Sequence, residues 1–287
     1  MSPSTHPQRL PDVVRKLLAE HFKDGVDLPV LPDTSMEVLS LCSDGGCDAQ
    51  LLSERISRDQ SLAGHVLRVS NSTAYAPKES IVSLQQAVSR LGLSTIQEIA
   101  IAVSLNARVF QAPGWGVKIR EMWIHSAAAG IYAKEVARLL RQNVESAFLC
   151  GLLHDVGRPV VLQALIDITK QRTDAPIPVG IAEAGMNEFH AEVGAMIIQS
   201  WKLADWLIES VGHHHDEGEL KGITHPTEVH ITQLADLLSH WALETESTQD
   251  DFPFEHDVIR RLNIYAEDLV GLLEKRGDVL EVAESFI

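Results

Sequence analysis

Apolar residues recur three and four apart through nearly every run of this chain, and no run sustains the period-two alternation of a half-buried strand. That regularity predicts an all-α fold. "VVRKLLAEHF" is amphipathic, and "SLQQAVSRLG" is a short helical run that stops at Gly92. "LSTIQEIAIAVSLNARVF" is apolar almost all round, which predicts a buried helix. Punctuation divides the runs. Asp33, Thr34 or Ser35 precede one apolar stripe as candidate caps, and Asn71-Ser72 ends another. "QAPGWG" at 111–116 is the breaker cluster that marks a domain boundary.

Composition narrows the class. Apolar residues make up 45% of 287 and aromatics only 5%, so the core should be large and aliphatic. A formal charge of −16 opposes a general nucleic-acid surface, whose phosphate contacts need Lys and Arg. "LGLSTIQEIAIAVSL" carries neither, so it cannot serve as a recognition helix and no DNA partner is expected. The three cysteines, Cys42, Cys47 and Cys150, make no disulfide framework, and Cys42 and Cys47 lack the spacing of a zinc pair. No window has the uncharged apolar length of a membrane span, and the opening residues lack the apolar core of a secretory signal. A cytoplasmic protein without a membrane partner is the expectation.

One stretch resists the bland reading. "AFLCGLLHDVGRPVV" drives His154 and Asp155 into the end of an apolar helix, where an unpaired charge is costly. Of 13 histidines only His6, His21 and His65 precede the 111–116 cluster. Glu121 and His125 share one helix face, and His190 lies in the first turn after Asn187, a candidate cap. His213, His214, His215 and Asp216 follow Gly212, a helix stop, and Asp236 sits among leucines with His240 four residues on. Imidazoles and carboxylates in such numbers exceed one tetrahedral site and suit two divalent transition ions, Fe, Mn, Zn, Ni or Co, bridged by a carboxylate. Asp155, beside a histidine, is the natural bridge. Two such ions activate a water and clamp a phosphoryl group, and Arg158 could hold a phosphate bidentately. His230 and His240 are left as supporting or structural, and His225 and His256 have no role.

"EMWIH", "LLHDVGR", His190, the histidine cluster and Asp236 together resemble the HD superfamily of metal-dependent phosphohydrolases. "ISRDQSLAGHVLRVSNSTAY", "FHAEVGAMIIQSW" and "VGHHHD" resemble, more narrowly, its HDOD branch of bacterial signalling proteins, across roughly residues 25–245. The resemblance implies metal ligands at His125, His154, Asp155, His190, His214, His215 and Asp236. His213 with His214 remains an alternative register for the pair. Glu121 matches an extra acidic ligand of the cyclic-dinucleotide phosphodiesterases that carry Gly-Tyr-Pro, but here "EGELKGITHP" stands where that triplet would be. The implied organisation is a tail and first helix over 1–24, an HDOD-type helical bundle over 25–112, an HD-like metal-site bundle over 113–245 and a helical extension over 246–287. Asp59, Arg68, Asn71 and Arg90 are expected to serve as caps and ion pairs. Two readings stay open. One is a phosphohydrolase or phosphodiesterase acting on a nucleotide or phosphoester, with Asp155 and Arg158 catalytic. The other is a non-catalytic module that signals through a protein partner.

Overall fold

The computed structural model describes residues 9–23, 28–30, 33, 36–38, 49–75, 79–173, 175–244 and 247–287. Thr34, Ser35, Cys42 and Cys47 lie outside the described residues. Among those described, every regular element is a helix, as the periodicity requires. The first five are α1 (Asp12–Phe22), α2 (Ala49–Ser57), α3 (Gln60–Ser70), α4 (Leu84–Leu91) and α5 (Leu93–Arg108). After the 111–116 turn come α6 (Gly116–Leu140), α7 (Val144–Leu153), α8 (Gly157–Lys170), α9 (Val179–Ser200), α10 (Asp205–His213) and α11 (Pro226–Leu243). α12 (Asp257–Arg261), α13 (Ala266–Leu273) and α14 (Arg276–Ser285) close the chain.

In the N-terminal half the polar residues cap and tie. Asp59 accepts from the Leu62 amide at 3.0 Å and starts α3; Ser83 accepts from the Gln86 amide at 3.1 Å and starts α4. Gly92 ends α4 at φ 86°, a left-handed conformation that glycine adopts without strain. Asn71 pins the following link, accepting from the Ile81 amide at 2.7 Å and donating to the Ile81 carbonyl at 2.8 Å. Arg90 pairs with Glu79 at 3.0 Å. α5 is buried along most of its length, through Ile96, Ile99, Ile101 and Leu105 among others.

α5 docks on α7, and Lys134 on α6 reaches Glu98 on α5 at 2.6 Å to bind the halves. α1 crosses to the second half, where it packs on α8 and α9 and Arg15 pairs with Glu188. α14 lies on α6, and Arg276 donates to the carbonyls of Ala242, Ser247 and Glu244, tying the last helix to the end of α11.

Two sequence boundaries move. α9 begins at Val179, so Asn187 and His190 lie within the helix rather than at its start, and Asn187 turns its side chain to Arg158 instead of capping. α10 runs through Gly212 to His213, because that glycine keeps helical backbone. Residues 144–170 are apolar and long enough to cross a membrane by composition. Their most apolar window is 83% buried inside the protein, and they break at the His-Asp turn between α7 and α8.

Candidate metal centre

Close helix approach brings the histidines together. A Cβ on Gly151 would lie 2.4 Å from the Ala129 carbonyl oxygen, and one on Gly157 would lie 2.0 Å from that of His190. The absence of side chains at these two positions lets α7 seat against α6, and α8 against α9. The turn between α7 and α8, which carries His154 and Asp155, is thereby buried between facing helices.

Asp155 is the centre of the arrangement. Its Oδ2 lies 3.8 Å from His125 Nε2 and 3.7 Å from His154 Nε2. Asp236 Oδ1 completes that group, 3.0 Å from His125 and 3.4 Å from His154. Asp155 Oδ1 faces the other way, 3.3 Å from His190 Nε2 and 3.8 Å from His214 Nε2. His215 joins there, its Nε2 3.0 Å from that of His190. The donor atoms thus form two groups that share Asp155, one with His125 and His154 and one with His190, His214 and His215, each able to hold a metal ion, and His125, Asp236 and His240 make a third beside them.

Tautomers decide what the cradle wants. His154, His190 and His214 each donate Nδ1–H to a backbone carbonyl, of Gly151, Met186 and Val211, at 2.7, 2.8 and 2.7 Å. Ser239 Oγ lies 2.9 Å from the Asp236 carbonyl and 3.1 Å from His125 Nδ1. In the neutral His190 and His214 rings Nε2 therefore turns a lone pair inward. His190 Nε2 and His214 Nε2 stand 3.3 Å apart, two acceptors with no proton between them. Asp155 Oδ1 is buried and has no hydrogen-bond partner among the described residues. Leaving such atoms unpaired costs several kcal/mol, and a shared cation removes the cost. Imidazole nitrogen and carboxylate oxygen are the donor set of divalent transition ions.

The two groups differ electrically. Burial depresses the His190 imidazole to about 4, and burial with the neighbouring His154 holds His214 well below its usual range, so both are neutral at pH 7. Burial also opposes the charge on His154, but Asp155 and Asp236 outweigh it and lift that imidazole to about 9. Asp155 and Asp236 ionise well below the usual carboxylate range despite burial: His154 and Arg158 hold Asp155, and hydrogen bonds from His125 and His154 hold Asp236. At pH 7 the first group thus carries the charge of the His154 imidazolium, while His190 and His214 in the second are neutral.

The structure thus gathers His125, His154, Asp155, His190, His214, His215 and Asp236. It leaves out Glu121, which is 62% exposed and lies 3.7 Å from Lys118. His213 is also outside, with Nδ1 2.7 Å from Asp216. Arg158 donates Nε to Asp155 Oδ2 at 2.5 Å and Nη1 to Asn187 at 2.8 Å, so two of its three nitrogens are engaged by protein. His240, given only a supporting place above, comes within 3.4 Å of Asp236 Oδ1 and stacks 4.3 Å from the His125 ring. The signal for it was its position one turn after Asp236.

The HDOD domain profile matches residues 28–217. Among curated proteins, an uncharacterised protein of Treponema pallidum is 26% identical over 207 residues, 69% of this chain and 40% of that one. Ribonuclease Y of Mycoplasmoides gallisepticum is 24% identical over 157 residues, 52% of this chain and 25% of that one. The chain spans less than half the length of either relative. Among solved structures, a candidate metal-dependent phosphohydrolase of Shewanella amazonensis superposes with a TM-score of 0.70 at 20% identity, over 96% of this chain and 98% of that one. An HDOD domain protein of unknown function from Geobacter sulfurreducens gives 0.60 at 24%, over 95% and 94%. At such identities the likeness establishes the all-helical fold.

Proposed function

This chain belongs to the HDOD family, and from that premise we propose that it is a metal-dependent phosphohydrolase of bacterial signalling, acting in the cytoplasm on a nucleotide or related phosphoester. The observation that carries the reading is the 3.3 Å contact of two bare imidazole nitrogens beside the orphaned Asp155 Oδ1. His125, His154, Asp236 and Asp155 Oδ2 would hold one divalent ion, and His190, His214, His215 and Asp155 Oδ1 the other. When bound, such a pair supplies Lewis acidity to a phosphoryl oxygen and makes water acidic enough to act at neutral pH. The chain's own groups do the positioning. The carbonyls of Gly151, Met186 and Val211 fix three rings by their Nδ1–H bonds. Arg158 fixes the plane of the Asp155 carboxylate.

Protein purified without chelator should carry about two transition ions per chain, the number a bridged pair requires. Asp155→Ala should lose the metal and hydrolysis of a phosphoester panel together. Hydrolysis that outlives the metal overturns the reading. A second reading has one observation behind it: among the described residues, the N-terminal bundle brings no side chain into the cradle. If fully metallated protein leaves every substrate intact, the cradle is structural and the chain signals through a protein partner.

A further inference from the structure

Beside the cradle lies a cavity of about 520 Å³. His214, His215, Asp236 and His240 line its near side. The far side comes from α12 and the residue before it, through His256, Asp257 and Arg261, beyond the 28–217 segment that the HDOD profile matches. Arg261 is the one Lys or Arg among the described residues that line this space, and Arg158 does not reach it. Asp257 accepts from Arg261 Nε at 2.5 Å and fixes the side chain one turn away on the same helix. The two Nη nitrogens of Arg261 have no hydrogen-bond partner among the described residues, and the side chain is 29% exposed.

We infer that Arg261, and not Arg158, is the guanidinium that meets the substrate, and that the substrate carries a second anionic group besides the phosphoryl group at the cradle. The inference rests on the function proposed above. Apart from Asp236 in the cradle, the remaining charges on the wall, Asp216, Glu217 and Asp257, repel an anion, so a lone guanidinium among them selects where a second anionic group can sit. A cavity of this size admits a molecule of roughly nucleotide dimensions, well within the ordinary 300–1,000 Å³ of ligand pockets.

The test is equilibrium binding to the Mn-loaded full chain, with inorganic phosphate and adenosine 3′,5′-bisphosphate as probes. Wild type should prefer the bisphosphate by about tenfold or more, the usual worth of a charge-assisted hydrogen bond. Arg261→Gln should bring the ratio of the two affinities close to one, with metal content and helical signal as controls. Arg261→Lys should recover part of it. Arg158→Gln should keep the ratio and alter metal content instead. A wild type without the preference, or an Arg261→Gln variant that retains it, overturns this inference and leaves the proposed function standing. If the Mn-loaded wild type binds neither anion, the proposed function fails and this inference with it.

Discussion

The two halves of the molecule are built from the same material, aliphatic helices with a few polar residues on the inner faces, yet they treat those polar residues in opposite ways. In the N-terminal bundle four of them close bonds nearby in the chain: Asp59 and Ser83 cap helices, Asn71 pins a loop and Arg90 meets Glu79. In the second half His190 and His214 close only Nδ1, each on a backbone carbonyl, and aim Nε2 at each other's lone pair. A polar group that satisfies itself holds a fold together. A set that is satisfied on one side only, around a common point, is arranged for something that arrives later.

Asp155→Ala should empty both metal positions at once, because both groups share that carboxylate, while a change confined to one group, His190→Ala, should remove one ion and leave the other; metal analysis distinguishes the outcomes. Next in size is Gly157→Ala. The added Cβ meets the backbone of His190, which cannot swing aside, so α8 and α9 must separate; we expect a loss of about 1–3 kcal/mol in denaturant unfolding together with weaker metal retention. A pH series sharpens the contrast within the cradle. His154, raised to about 9, must shed a proton before its group binds an ion, so that group should load about 50-fold more weakly at pH 7 than at pH 9. His190, lowered to about 4, is already neutral, so its group should load evenly from pH 6 to 9 in the same titration. Equal slopes for the two ions would contradict this electrical difference. Smallest is Asp59→Ala in the other half. It should cost about 1 kcal/mol of stability through the lost cap and leave metal content untouched.

The helices and most of the cradle could be read from the chain because periodicity and caps act locally, and because His-Asp at the end of an apolar helix has few inexpensive explanations. Direction was harder. Glu121–His125 and Asp236–His240 have the same four-residue spacing, yet only the second pair converges. Helical side chains lean toward the N-terminus. His240 therefore leans back over Asp236, while Glu121 leans away from His125 toward Lys118 and solvent. Charge on Arg158 was legible, but its partners were not: Asp155 lies within one turn, while Asn187 arrives from α9, which is distant in sequence. Arg261 carried no signal at all, since only the path of the chain after α11 brings it to the cavity.

The bond from Arg158 to Asp155 has a further consequence. It gives the most deeply buried carboxylate a permanent counter-charge, covalently part of the same chain, before any cation reaches the cradle. Small zinc domains collapse when stripped because the ion is their only internal scaffold. Here the scaffold is in place beforehand, so a chelated sample should keep its helical spectrum and accept fresh ions without refolding, like a socket from which a plug has been drawn.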